Sequence, residues 1–371
     1  MGEFLARWCR TEAACALFWE PRTTAGAACA LFRNAHNGLA APCALVMLPF
    51  FFSLSLLAQV DIAAFGETAS EVHQTDDPAV WEHPRDRSRS LILGTIKMAA
   101  PEGGVAVYRM DGSRLMTVGN LDRPNNIDVA YGFRVGNRTV DIAVVTERNR
   151  SRLRIYAVKP EVGLEELGTV PVFVGETGAR AQPMGVALYR RKRDGALYAM
   201  VSRKAGPSDG YLWQYRLTGE AGGGVRAEKV REFGRFSGTG EIEAVAVDGE
   251  REEVYYADEG AGIRKYHADP AHGAAGRELA VFGQSGWKGD REGIAVHGGY
   301  VVATDQQRGN SEFHVFSRDT LREVGVFRVG SDTTDGIEIS RFGLFVAMND
   351  QRRNFLLVEW KAIAAGLGLR R

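Results

Sequence analysis

The sequence predicts an all-β protein, a six-bladed β-propeller of four-stranded blades, and three observations predict it. Six segments of similar pattern follow one another roughly every 52 residues, a period that belongs to repeat architectures such as propeller blades. Each segment holds short alternating strands parted by turn pairs such as Asp111-Gly112 and Asp194-Gly195. Glycine is abundant, 44 residues against 12 prolines, which suits a turn-rich β protein better than a helical one.

The elements follow in order. First strands start at Asp77, Asp128, Gly185, Ala244, Gly293 and Gly336, each opening a short apolar run. Second strands are expected over 91–95, 141–146, 196–202, 253–257, 300–304 and 343–348. Third strands are expected over 105–108, 153–158, 211–217, 263–267, 312–316 and 355–360. Fourth strands are expected over 116–118, 169–173, 229–233, 278–282 and 323–327. The sixth unit runs out of chain after its third strand. The N-terminal strand of the mature chain, around Ile62–Val72, is therefore expected to complete it and close the ring, which would leave no open edge. Residues 361–371 read as a short helix.

The 371 residues are 45% hydrophobic and 25% charged, enough apolar material for a large core. Basic and acidic residues number 46 each, so the basic excess of a nucleic-acid binder is absent. All four cysteines (Cys9, Cys15, Cys29, Cys43) lie in the first 43 residues, a region that ends in an uncharged run from Leu39 to Val60 that reads as a signal-peptide core. Cleavage is expected near Ala58 to Ala64, with Met47 as an alternative start and a retained membrane anchor as an alternative fate. The division is thus a leader over 1–60 and one propeller over 61–371, secreted or periplasmic, monomeric and free of the membrane once the leader is gone. The body then has no cysteine, so disulfides, thiolate catalysis and cysteine zinc sites drop out together.

In a blade, the start of the first strand and the end of the second lie on one face. Just before the first strands stand Asp76, Ile127, Met184, Glu243, Glu292 and Asp335, with Asp77 and Asp128 following two of them and Asp290 two before Glu292. After the second strands stand Lys97, Arg148 and Lys204, then Asp258-Glu259, Asp305-Gln306 and Asn349-Asp350. One such acid is ordinarily a turn former, and channel residues are often polar only because water fills the channel. A whole ring of them repels itself unless a cation neutralises it. Carboxylates and amide oxygens without clustered Cys or His specify a hard cation, Ca²⁺ above all. The three cations beside them suit a phosphorylated ligand, which Arg148 would grip with its fork. The Arg190–Arg193 run is an ordinary solvated hairpin tip, and neither a nucleophile elbow nor a phosphate-binding glycine loop is present.

These residues, taken together, resemble the β-propeller phytases, the calcium-dependent alkaline phytase family. The resemblance is carried by Asp76-Asp77-Pro-Ala-Val-Trp81, Gly104–Tyr108 with Asp111-Gly112, Asn125-Asn126-Ile-Asp128, Glu243 with Asp258-Glu259, Asp290-x-Glu292-Gly293, Gly309-Asn310-Ser311, Asp335-Gly-Ile337 and Phe342–Ala347, in order across about residues 70–360. It implies a 3-phytase-type phosphoric monoester hydrolase acting on phytate, free or as its calcium complex, with several calcium ions and no phosphoenzyme. Metal-activated water would attack phosphorus directly, and a second phosphate site would help hold the substrate. It further implies phosphate contacts from Lys97, Arg148 and Lys204. Calcium ligands would be Asp76, Asp77, Glu243, Glu259, Asp290, Glu292, Gln306, Asp335 and Asn349, with Glu243 or Asp335 as the base. Met184 stands at the substrate position where the family has a tyrosine, and Asn349 where it has an aspartate, a change expected to weaken calcium binding, with the adjacent Asp350 as its alternative substitute. Two other readings stay open. A calcium-dependent lactonase-type hydrolase needs the metal but not three converging cations. A non-enzymatic ligand-binding propeller predicts that Lys97, Arg148 and Lys204 point apart or pair with local acids.

Overall fold

The computed structural model describes residues 59–370, so the expected leader, except Gln59 and Val60, lies outside the described residues. Six sheets of consecutive antiparallel strands make the six blades. Blade one comprises Thr75–Trp81, Leu91–Ile96, Gly104–Arg109 and Arg114–Val118. Blade two comprises Pro124–Val135, Arg138–Glu147, Arg152–Lys159 and Gly163–Pro171; blade three, Pro183–Arg190, Leu197–Arg203, Asp209–Gly219 and Val225–Arg235. Blades four and five are built from shorter strands, Val245–Asp248, Glu253–Asp258, Gly262–His267 and Ala280–Phe282, then Ile294–His297, Tyr300–Asp305, Glu312–Ser317 and Glu323–Arg328. Blade six has Ile337–Ile339, Leu344–Asn349 and Asn354–Glu359. A helix, Trp360–Gly366, follows.

The amino-terminal segment joins two blades. Gly66–Glu67 pairs antiparallel with Leu356 and Leu357 and gives blade six its fourth strand, inside the expected 62–72 stretch. Gln59–Asp61 pairs parallel with Val326–Arg328 and adds a fifth strand to blade five. That fifth strand is not foreseen from the sequence, because Gln-Val-Asp carries no strand period of its own. Blade two's first hairpin is also longer than expected. The Gly136 turn, at φ +58°, lets Pro124–Val135 and Arg138–Glu147 run on past the core with an outer half that is partly exposed.

Each pair of neighbouring blades shares one apolar cluster, so the core is a ring of six interfaces. Val80, Ile92, Tyr108, Val346 and Phe355 join blades six and one, for example, and Val144, Ile155, Val186 and Val201 join blades two and three. Burying one such side chain stabilises the fold by about 1.5–3 kcal/mol. Polar ties cross the same gaps near the axis. The Asp77 carboxylate accepts the Ile127 amide at 2.9 Å and Asp128 accepts the Leu188 amide at 2.6 Å, each from the next blade. The first strands approach so closely that a Cβ on Gly185 would lie 1.9 Å from the Glu243 carbonyl oxygen.

Candidate active site

One backbone rung recurs in all six blades and defines one face. The amide just past the second strand donates to a carbonyl just before the first strand. The pairs are Lys97 to Gln74 (3.0 Å), Arg148 to Arg123 (3.1 Å), Lys204 to Gln182 (2.9 Å), Glu259 to Glu241 (3.3 Å), Gln306 to Asp290 (2.9 Å) and Asp350 to Asp332 (3.0 Å). The antiparallel first hairpin dictates this rung, and it places six side chains around one mouth.

At the centre of that mouth is Lys97. Its Nζ donates to Asp76 Oδ1 at 2.7 Å and Glu243 Oε1 at 2.9 Å, and Asp335 Oδ2 lies 3.8 Å away. Asn125 links the next cation to the same acid, its amide donating to Glu243 while its Oδ1 accepts from Arg148. Arg148 Nη2 is itself 3.8 Å from Glu243 Oε1. Gln306 donates to Asp335. Lys204 stands apart, paired with Glu241. Lys97 and Arg148 thus converge, as the enzymatic reading expects, and all three cations touch local acids, as the non-enzymatic reading expects. Where acids outnumber cations, each ammonium is drawn to the nearest carboxylate, so this pairing does not separate the two readings.

Asn125 and Glu241 were not singled out as site residues from the sequence. Glu241 stands two before Glu243, the offset that separates Asp290 from Glu292, so a signal for it exists. Asn125 belongs to the Asn125-Asn126-Ile-Asp128 motif of the resemblance, and the folded contact with Arg148 and Glu243 shows its place.

Three expected site residues are placed differently. Met184 is 0% exposed, its carbonyl accepts from Thr146 Oγ1 at 2.8 Å, and its thioether offers a phosphate no hydrogen-bond donor. Asn349 precedes the rung residue and does not belong to it. Its Oδ1 accepts the Asp332 amide at 3.1 Å and its Nδ2 donates to Asn354 at 3.1 Å. It is a loop clamp like Asp258, which accepts the Ser237 amide at 2.8 Å, and Asp350 is the true counterpart of Glu259 and Gln306. The reason Asn349→Asp would tighten calcium binding therefore falls away. Asp77, with Asp128 and Glu338, lines the axial cavity beneath the mouth and is tied to the Ile127 amide.

The acids repel each other as the charge count demands. Burial, with Asp76 beside it, raises the Asp335 carboxyl well above its usual range, and burial with Glu243 and Asp335 does the same for Glu292. Burial pushes Glu259 up to about 7, with Asp290, Glu241 and Glu243 adding to the shift. Glu243 is the exception: burial would raise it, but Lys97, Asn125 and Arg148 hold it down to about 2. Among the described residues, two buried oxygens, Asp76 Oδ2 and Glu292 Oε2, have no hydrogen-bond partner, and neither has the buried Arg148 Nε.

A pH dependence follows. Glu259 binds its proton more tightly in the folded chain than its ordinary 4.5, so its contribution is fully present below about 4.5 and lost as pH rises through about 7. Asp76, Glu292 and Asp335 act in the same direction. Glu243 acts oppositely, and its contribution is lost only as pH falls through about 2. In EDTA the melting temperature is expected to fall between about pH 5 and pH 8. Saturating calcium is expected to abolish that fall, and thermal melts with and without it make the check.

Comparison with known proteins points one way. The family model described as Phytase matches residues 50–369. A 3-phytase of Bacillus subtilis (strain 168) is 29% identical over 348 residues, which cover 85% of this chain and 86% of that protein.

Proposed function

The chain belongs to the phytase family and is an enzyme of that family, and on this premise we propose that it hydrolyses phosphate monoesters of phytate in a calcium-dependent reaction without a phosphoenzyme. The observation that carries the proposal is the mouth itself. Lys97 is held among Asp76, Glu243 and Asp335 while Asp76 Oδ2 and Glu292 Oε2 stay buried and unpartnered.

The donor set fits calcium. Asp76, Glu243, Glu259, Asp290, Glu292, Gln306 and Asp335 offer only oxygen, and two of those oxygens are orphaned. Bound there, calcium would supply charge to neutralise a phosphate and acidify the attacking water.

The chain's own residues supply the rest. Lys97 donates from the centre of the mouth to the phosphate being transferred. Arg148 brings a second cation whose Nε–H has no acceptor, leaving donor capacity for a phosphate oxygen. Asn125 fixes both that guanidinium and the Glu243 carboxylate. Lys204, half-buried and held only by Glu241, takes a neighbouring phosphate by releasing that acid. Of the two candidate bases, Glu243 is held ionised by two cations and is a poor proton acceptor, whereas Asp335 has the raised proton affinity the role asks for.

Export is part of the proposal, supported by the apolar run before Gln59. Within the expected 58–64 window, a cut before Gln59 is the one that would keep the Gln59–Asp61 pairing. The test uses protein from the exported fraction, whose amino-terminal residue gives the cleavage point. Phosphate release from phytate is expected in calcium and lost in EDTA. Equal release in both would remove calcium from the reaction, and none in saturating calcium would refute the activity.

A further inference from the structure

Away from the mouth, on blade five, lies a cluster that the reaction does not use. Asp305 pairs directly with Glu312 across the second and third strands, and Ala303 pairs with His314. Because side chains alternate, that register puts Asp305, Glu312 and His314 on one face, with the small Ala303 leaving room beside the imidazole. One donor atom from each of the three lies within 4.8 Å of the others, and all three residues are buried.

His314 carries the argument. It is 3% exposed, and its Nε2 has no hydrogen-bond partner among the described residues, with Asp305 Oδ2 3.5 Å away. Its other nitrogen, Nδ1, is held by Glu323 Oε1 at 2.5 Å. A carboxylate on one imidazole nitrogen with the other aimed at acidic oxygens is the arrangement that orients a metal-ligating histidine. Asp305 is already positioned. The Gly289 amide donates to Oδ1 at 2.7 Å, and the Lys288 amide and Gln307 Nε2 donate to Oδ2 at 2.9 and 3.0 Å, leaving a lone pair on Oδ1. Glu312 is met by Gln59 Nε2 at 2.7 Å and by the Lys288 ammonium at 2.7 and 2.8 Å. That ammonium is replaceable, because the Lys288 side chain is 59% exposed and free to swing into solvent.

We propose that Asp305, Glu312 and His314 form a second metal site, for a divalent ion of the zinc and cobalt class rather than calcium. One imidazole nitrogen with two carboxylates suits such ions, whereas calcium takes oxygen alone. The site sits behind the mouth. Asp305 adjoins Gln306 and grips the Lys288 and Gly289 amides that start the loop bearing Asp290 and Glu292, so an ion here stiffens that wall.

Trp287 makes the test direct, because its ring lies over His314 with centroids 4.3 Å apart. Metal-stripped full-length protein, in saturating calcium to fill the mouth, is titrated with Co²⁺ while tryptophan emission and visible absorption are read. One equivalent is expected to bind, quench emission, show a nitrogen-containing ligand field and be displaced by Zn²⁺. His314→Ala is expected to weaken that binding at least about 100-fold, and Glu323→Gln, which keeps all three ligands, about 10–100-fold. Glu312→Gln offers a second ligand change if His314→Ala does not fold. Absence of Co²⁺ binding under calcium, or equal binding by wild type and folded ligand variants, would overturn the proposal.

Discussion

Lys97→Ala will cut phytate turnover and unbalance the mouth at once. Lys97 touches Asp76 and Glu243 directly and lies 3.8 Å from Asp335, so its removal leaves three buried carboxyls without their nearest cation. Breaking a buried ion pair by deleting one partner costs about 3–5 kcal/mol, and that loss is expected in EDTA near neutral pH. Calcium, which on the proposed reading neutralises the same oxygens, is expected to restore most of the stability. It should not restore catalysis. Loss of a preorganised donor to a transferring group typically costs about 10²–10³ in rate, and kcat/KM at saturating calcium is expected to drop by that factor. Denaturation with and without calcium, beside steady-state kinetics, separates the two effects. An unchanged kcat/KM would remove Lys97 from the phosphate contact.

Gly185→Ala is the second large effect, and it involves no ligand-touching side chain. The added methyl would lie 1.9 Å from the Glu243 carbonyl oxygen and 3.0 Å from Ser202 Oγ, so backbone must yield. Overpacking of this kind costs up to about 3 kcal/mol where neighbours cannot move. The neighbour here is the peptide that carries Glu243, whose carboxylate Lys97 and Asn125 share. Stability and activity are therefore expected to fall together. Gly249→Ala, where a Cβ meets nothing within 4 Å, is the matched control, expected within about 0.5 kcal/mol of wild type. Activity in Gly185→Ala equal to that of Gly249→Ala would show that Glu243 tolerates the displacement.

How much of this was legible beforehand depended on whether a residue's type or its orientation mattered. The strand starts at Gly185, Gly293 and Gly336 were legible because small residues followed by β-branched ones mark strands crowded at an axis. The ring of acids was legible because its positions repeat. Asn349 was misplaced for a physical reason. Adjacent residues on a strand face opposite sides, and a sequence lists them side by side. A shift of one position separates the clamp Asn349 from Asp350, whose amide makes the rung to Asp332. The extra strand at Gln59–Asp61 left no trace, since its pairing depends on an edge offered by Glu323–Arg328. The pairing of Asp305, Glu312 and His314 needed the cross-strand register, which only the fold supplies.

The sixth sheet, with a strand from each end of the described chain, also sets a clock. Asn354 Nδ2 bonds Glu67 Oε2 at 3.0 Å across 287 residues of chain. At about 5–20 residues per second of synthesis, the first of these residues waits roughly 15–60 s for the second. Until then Gly66–Glu67 has no strand to join, and blade one has no sixth neighbour on which to lay Val80 and Ile92. Contacts of such long sequence separation form late. A chain stopped short of residue 354 lacks the strand that Gly66–Glu67 pairs with, and leaves that segment without its hydrogen-bond partners.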